Sequence, residues 1–547
     1  MSRRPFAQGP GPWVAASSFI ALLVVAPLAS LALVAMRGSE GLWAHVMVYV
    51  LPAAARDTGL LLGGVGLLAV VIGAGLAWLV TAYDFPGRRV FDWALLLPLA
   101  VPTYIIAYAY MDVLHPVGPV QTALRAVLGI ESPRDFRLPD IRSMVGCITL
   151  LGFVLYPYVY LTTRAVFLMQ SGNLLDAART LGVDRRGVFL RVALPLARPA
   201  IVVGLTLVLL ETLNDIGASE FLGVRTLTVS VYSTWITRSD LPGAAQISLA
   251  MLAIVTGIVL LERRARKQRR YANDAQHPRP LEAYRLTGWK ATIAVAASSL
   301  PIAVGFVVPV IYLVHASVLR LRFAGVPETI VRETLNTLAL SGVATVLALL
   351  AGLTVVYAER VSRGPLSSAL ARTASLGYAV PGTVLAIGLL PVVTGVEAMT
   401  DVLSQRIFGV SVGLFLLGTG AAVAYAYFVR FLALASGGIE AGLGRISPTL
   451  DDAATTLGSG AAQRLWRIHL PIARPALATA ALLVFVDSMK ELPATLLLRP
   501  LGFETLATHL YGEAVRGTYE DAAIAALLIV LAGLIPVLVL ARLGRAR

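Results

Sequence analysis

Apolar runs of roughly twenty residues follow one another along the chain, separated by short polar stretches rich in arginine and proline. About twenty helical residues cross the ~30 Å of hydrocarbon in a bilayer, and backbone groups in lipid have to be satisfied within their own segment. The runs therefore predict transmembrane helices at about 13–36, 57–83, 92–113, 143–168, 197–219 and 243–262. Six more are expected at about 289–316, 334–358, 370–395, 410–434, 474–497 and 521–543. The first run is too long for a signal peptide and lacks a clear cleavage site, so it reads as a retained span. The expected fold is an all-α integral membrane protein with about 12 transmembrane helices in two six-helix halves.

Composition strengthens this picture: 57% of residues are hydrophobic and 14% are charged, against about 25% charged in soluble proteins. The net charge is +14, carried almost wholly by arginine, since Lys267, Lys290 and Lys490 are the only lysines. A basic balance can indicate nucleic acid, but these charges sit between apolar runs, so they read as a topology signal and no nucleic-acid partner is expected. Arg3 and Arg4, Arg88 and Arg89, the run from Arg164 to Arg198, ERRARKQRR (262–270), Arg360 and Arg363, and Arg542 to Arg547 mark one side of the membrane. Both termini are thus expected in the cytoplasm of a multi-pass inner (plasma) membrane protein. The loop 114–142 runs against the rule with Arg125, Arg134, Arg137 and Arg142, partly offset by Glu131, Asp135 and Asp140. Cys147 is the single cysteine, which excludes an intramolecular disulfide and a cysteine-based metal site.

A polar segment occurs twice. DAARTLGVDRRGVFLRVALPLARPA (176–200) aligns without a gap on DAATTLGSGAAQRLWRIHLPIARPA (452–476), 276 positions later. Ala100-Val101-Pro102 recurs as Ala379-Val380-Pro381, 279 positions later. The halves are therefore repeats. An even number of spans per half orients them alike, with a pseudo-two-fold axis along the membrane normal and a pathway between them. The first half is expected at 1–262 (core about 54–262), a polar linker at 263–288, and the second half at 289–547 (core about 333–543).

Ser447-Pro448 reads as a helix start, a capping hydroxyl followed by proline at the first helical position, with Ser171 as its counterpart. Gly182 and Gly458 fall where a helix would end in the left-handed conformation. A second short helix is expected to run to Leu194-Pro195 and to Leu470-Pro471, where the chain turns into the next span. Two copies on the basic side suit a partner with two similar sockets. Asp176-Ala177-Ala178 through Gly182, Leu194-Pro195 and Pro199, and the matching Asp452-Ala453-Ala454 and Gly458, resemble the EAA loop of ABC-importer permeases, here at 171–200 and 447–476, with Asp in place of the family's usual Glu. The resemblance covers the whole chain and implies two fused ABC type-1 permease domains, each inserting its loop into a cytoplasmic ABC ATPase dimer. The motor is expected on another chain, because no lysine here follows a glycine as a phosphate-binding loop requires. The chain therefore reads as a transport subunit rather than an enzyme, and no cofactor is expected.

ETLNDIGASEFLG (211–223), DSMKELPATLLLRP (487–500) and GFETLATHLYGEA (502–514) resemble signatures of ferric-iron permeases. That resemblance implies uptake of Fe(III) handed over by a periplasmic binding protein. From the residues themselves, Glu211 pairs with Asp487 and Asp215 with Glu491 across the repeat. Glu211 lies roughly 18 Å along its helix from Pro199, a depth at which a charge costs a few kcal/mol and usually faces a cavity. Gly217 and Pro493 are positioned to break these helices, as pathway helices often are. Oxygen ligands suit a hard trivalent cation, so Glu211, Asp215, Asp487, Lys490 and Glu491 are candidates for the pathway or its gate. An Asp487–Lys490 structural ion pair is the alternative, and the metal ligands stay unassigned. The six histidines are scattered, and the tyrosines of YPYVY (156–160) with Tyr104, Tyr108 and Tyr110 fit packing or interfacial anchoring as well as a pathway. Fusion and the EAA loops do not exclude a fused permease for thiamine, a polyamine or a phosphonate, but the Asp/Lys/Glu pattern at 487–491 favours iron. A proton-coupled secondary transporter would use the carboxylates but leave the repeated polar segments without a role, and a structural scaffold would explain neither.

Overall fold

The computed structural model describes residues 11–39, 43–169, 180–267, 283–362 and 364–545. Long helices dominate: α1 (Pro12–Ala35), α2 (Trp43–Ala82), α6 (Met144–Met169), α7 (Val188–Asn214), α10 (Leu241–Ala265), α11 (Trp289–Ala324), α12 (Ile330–Ser362), α14 (Gly382–Phe408), α15 (Ala421–Leu443), α17 (Ala461–Met489) and α20 (Tyr519–Val539). Between them lie α3 (Arg88–Ala94), α4 (Thr103–Val113), α5 (Pro119–Leu128), α8 (Gly217–Phe221), α9 (Leu227–Ile236), α13 (Pro365–Ala374), α16 (Pro448–Thr456), α18 (Pro493–Leu498) and α19 (Leu506–Arg516). Among the described residues eleven helices are long and apolar enough to cross a membrane, twelve if the bent pair 88–100 and 103–113 is one span. A two-residue parallel pairing of Tyr83–Asp84 with Tyr284–Arg285 places the end of the linker; residues 268–282 of it lie outside the described residues.

Proline punctuates these helices in a regular way. Four described segments widen to π-turns, at Val46–Val50, Val188–Ala193, Ala303–Val307 and Leu465–His469. Each is followed two residues later by a proline: Pro52, Pro195, Pro309 and Pro471. Proline lacks the amide hydrogen of an ordinary helical bond and crowds the preceding turn, and one wide turn absorbs both defects without ending the helix. This corrects the expected turn at Leu194-Pro195 and Leu470-Pro471: the helix continues through both, into α7 and α17. The expected span at 370–395 is corrected too. Its first part is α13 and a 3-10 turn (Ser375–Ala379), and the continuous helix starts only at Gly382, after Val380-Pro381.

The chain forms two compact units that interleave the sequence repeats. One contains residues 1–43, 231–249 and 328–508, and in it α1 packs on α12, α13 and α14 of the second repeat. Gly388 permits the α1–α14 crossing, since a β-carbon there would stand 2.3 Å from the Pro27 carbonyl oxygen. The other contains residues 44–230, 250–327 and 509–547, and in it α2, α6 and α7 form the centre, α11 touches α2 and α6, and α20 packs along α11 and on the 3-10 turn Leu97–Ala100. The duplication reaches individual hydrogen bonds. Thr58 Oγ1 accepts from the Leu227 amide at 2.9 Å, and Thr337 Oγ1 accepts from the Leu506 amide at 2.9 Å. Each threonine caps the first amide of α9 or α19, 279 positions apart.

Replacing Thr58 or Thr337 by valine leaves a buried amide without an acceptor. Each change should destabilise the detergent-solubilised protein by about 1–3 kcal/mol, and the paired change should be additive because the two sites are in separate units; thermal unfolding measures both.

Candidate translocation and coupling site

The long helix of each repeat that follows the polar segment is broken at the same place. α7 ends at Asn214 and α8 begins at Gly217; α17 ends at Met489 and α18 begins at Pro493. The helix that meets each break is itself interrupted, at Val101-Pro102 before α4 and at Val380-Pro381 before α14. The repeated Ala-Val-Pro of the sequence is this second interruption.

One carboxylate closes each junction. Asp215 Oδ1 accepts from the Thr103 hydroxyl at 2.6 Å, and its Oδ2 accepts from the Ser219 amide at 2.9 Å and hydroxyl at 3.2 Å. It lies against the first turns of α4 and α8, where helix dipoles favour a negative charge. Glu491 does the same in the second repeat. Its Oε1 accepts from the Ala494 amide at 3.1 Å, its Oε2 pairs with Arg430 Nε at 3.2 Å, and the Tyr427 hydroxyl donates to its carbonyl at 3.2 Å. Where the first repeat has Thr103, the second has Gly382, and a β-carbon there would stand 2.5 Å from Glu491 Oε1. Both carboxylates are buried, and both are held by neighbouring groups.

The other candidates are more open. Asp487 Oδ1 and Lys490 Nζ lie 2.8 Å apart, with side chains 32% and 29% exposed, so the ion-pair alternative is present in the structure. Glu211 is half-buried, one turn before the break in α7. Sequence reasoning missed Thr103, Ser219, Gly382, Arg430 and Tyr427; the residue after each Ala-Val-Pro was the available signal for two of them. It also missed Glu220, whose carboxylate accepts from the Tyr511 hydroxyl, with Phe221 stacked on Tyr511 at 5.6 Å. Among the described residues no three His, Cys, Asp or Glu side chains converge to hold a metal ion.

At the other end of these helices lies the repeated polar segment. Ser447 Oγ accepts from the Thr449 amide and starts α16, which carries Asp452, Ala453 and Ala454. Gly458 adopts φ +80° and Gly182 φ +82°, a left-handed conformation that suits glycine. The neighbouring leucines project into solvent, Leu181 at 84% and Leu457 at 86% exposure. Asp176, Ala177, Ala178 and Ser171 lie outside the described residues.

Comparison with known proteins places this geometry in context. The profile described as "Binding-protein-dependent transport system inner membrane component" matches twice, at residues 69–271 and 344–546. The Fe(3+)-transport system permease protein FbpB 2 of Haemophilus influenzae is 27% identical over 514 residues, covering 93% of this chain and 94% of its own. The molybdenum transport system permease protein ModB of Escherichia coli is 29% identical over 197 residues, 34% of this chain and 81% of its own. A putative 2-aminoethylphosphonate permease protein, PhnU, of Salmonella paratyphi A is 30% identical over 200 residues, 36% of this chain and 68% of its own.

Gly382→Ala places a β-carbon 2.5 Å from Glu491 Oε1 and 3.2 Å from the Ala494 amide nitrogen, so the carboxylate has to shift, and the change should cost about 1–3 kcal/mol as overpacking. Thr103→Ala removes one hydrogen bond to a buried carboxylate and should cost about 1.5–3 kcal/mol. Thermal unfolding of the two purified variants in detergent measures both losses.

Proposed function

The chain belongs to the binding-protein-dependent transport system inner membrane components, the permeases of ATP-binding-cassette importers, and from that premise we propose that its cargo is ferric iron received from a periplasmic binding protein. The observation that carries the coupling part of this reading is the duplicated Leu-Gly corner: an exposed leucine beside a left-handed glycine, at 181–182 and again at 457–458. An exposed apolar side chain at a fixed corner is what a socket on a soluble partner can grip. The partner is a cytoplasmic ATPase dimer, with Asp176, Ala177, Ala178 and Gly182 on one subunit and Asp452, Ala453, Ala454 and Gly458 on the other. The N- and C-termini share that side.

Iron as cargo is supported by the similarity to a ferric permease over nearly the whole fused chain, whereas the molybdenum and aminoethylphosphonate permeases align over about a third of it. In this reading the pathway residues divide by role. Asp215 and Glu491 hold the broken helices open, and Glu211, Asp487 and Lys490 face the passing ion. A hard cation meets oxygen donors there without a closed ligand set, which fits passage rather than storage.

The protein reconstituted with its ATPase and binding protein should take up Fe(III) in an ATP-dependent manner and leave molybdate, aminoethylphosphonate and thiamine outside. Uptake of one of those in place of iron overturns the cargo. Replacing Gly182 and Gly458 together by leucine costs about 1–2 kcal/mol at each corner and should abolish uptake while the protein still inserts; unchanged uptake overturns the coupling role. Asp487→Asn should slow iron uptake without loss of ATPase capture, and normal uptake would make Asp487 a structural partner of Lys490 only.

A further inference from the structure

The helix that carries Asp452-Ala453-Ala454 is anchored at the residue before it. Asp451 Oδ1 lies 2.6 Å from His469 Nε2, and its Oδ2 accepts from Arg360 Nε at 2.9 Å. Arg360 spends its remaining donors on the end of α15, bonding the carbonyls of Leu443 at 2.7 Å and Ile446 at 2.9 Å. Tyr357, one turn before Arg360, donates to the Ala461 carbonyl at 2.6 Å, and its ring packs on His469 at 5.5 Å. Arg464 reaches back to the Asp451 carbonyl at 3.3 Å. An apolar floor of Val356, Ile439, Leu443, Ile446 and Ala473 lies beneath. The Asp451, Arg360 and His469 side chains are 13%, 16% and 2% exposed, so water screens the Asp451–Arg360 pair and the Asp451–His469 hydrogen bond little.

Three helices thus converge on one carboxylate: α12 through Arg360, α15 through the carbonyls that Arg360 caps, and α17 through His469. The sequence repeat does not reproduce this. Leu175 and Ala193 stand 276 positions before Asp451 and His469, and Thr81 stands 279 before Arg360. The threonine caps, the broken helices and the glycine corners are duplicated; among the described residues this network is not.

We propose that Asp451, Arg360 and His469 form a clamp that makes the second coupling segment move as one body with α12 and α17, so that force from the ATPase enters the membrane domain chiefly through the second repeat. The proposal rests on the coupling role assigned above. Asp451 is a positioning residue: it touches neither cargo nor nucleotide, and it acts by fixing α16 to the helix that ends at the Glu491 junction. A cap of purely structural value would affect insertion and ATPase capture. A clamp affects how much cargo moves for each ATP hydrolysed.

The test uses the complete transporter, with ATPase and binding protein, in proteoliposomes. Asp451→Asn and Arg360→Met should each lower the ratio of iron imported to ATP hydrolysed at least tenfold while ATPase capture is retained. The double variant should be no worse than either single change, as groups acting through one contact are not additive. His469→Gln, which keeps a donor toward Asp451, should lose threefold at most. Thr81→Ala, at the corresponding place of the first repeat, should leave the ratio within twofold of the unaltered protein. An unchanged ratio in Asp451→Asn overturns the clamp alone, as does loss of ATPase capture in step with uptake. Absence of ATP-driven uptake by the unaltered protein overturns the importer reading and the clamp with it.

Discussion

A helix that breaks inside a bilayer exposes backbone amides and carbonyls that lipid cannot satisfy, at several kcal/mol each. This chain breaks helices at two equivalent junctions, and each is held by a single buried carboxylate. Asp215 joins α8 to α4; Glu491 joins α18 to α14. In return, the positive ends of two helices and a cluster of donors stabilise a charge that hydrocarbon would otherwise reject. The exchange is mutual: the break supplies backbone amide donors to the carboxylate, and the carboxylate supplies those amides an acceptor. Discontinuous helices, and with them a polar interior, depend on this pairing.

The two junctions reach the same end by different chemistry. Asp215 is short and is met by a hydroxyl on Thr103. Glu491 is one methylene longer and extends over Gly382, where any side chain would collide with it, and it gains a cation from Arg430. The changes compensate one another, as expected where volume and charge are fixed by a close-packed site. The duplicated threonine caps show the opposite behaviour, with residue, distance and target unchanged in both repeats. The threonine caps and the glycine corners are alike in both repeats, while the partners of the two junction carboxylates differ.

Most of the architecture was legible because period and length carry it. Apolar runs gave the spans, and an ungapped polar repeat gave the duplication. Gly217 and Pro493 marked the helix breaks, and Gly182 and Gly458 the left-handed corners. The misread turns at 194–195 and 470–471 have one cause, proline. A proline after a polar stretch reads as a stop, yet Pro195 and Pro471 sit inside continuous helices because a π-turn absorbs them, whereas Pro102 and Pro381 stand at true interruptions. The local sequence does not distinguish these cases; tertiary partners do. The carboxylates were found by their depth; Ser219 lies only four residues from Asp215, whereas Thr103 and Arg430 reach their carboxylates from distant segments.

Continuity through Pro471 alters what the second polar segment can transmit. Had the chain turned there, motion of α16 would have been absorbed at a hinge before reaching the membrane. Instead α17 runs unbroken from Ala461 to Met489, 29 residues, or about 43 Å at the helical rise. One end carries His469 against Asp451, and the other stops at the junction held by Glu491. Under the proposed coupling role, a rod fixed to that segment at its base and to a pinned break at its tip would convert a displacement at one end into a change of geometry at the other. The π-turn at Leu465–His469 ends at the residue that meets Asp451, where the proposed clamp grips.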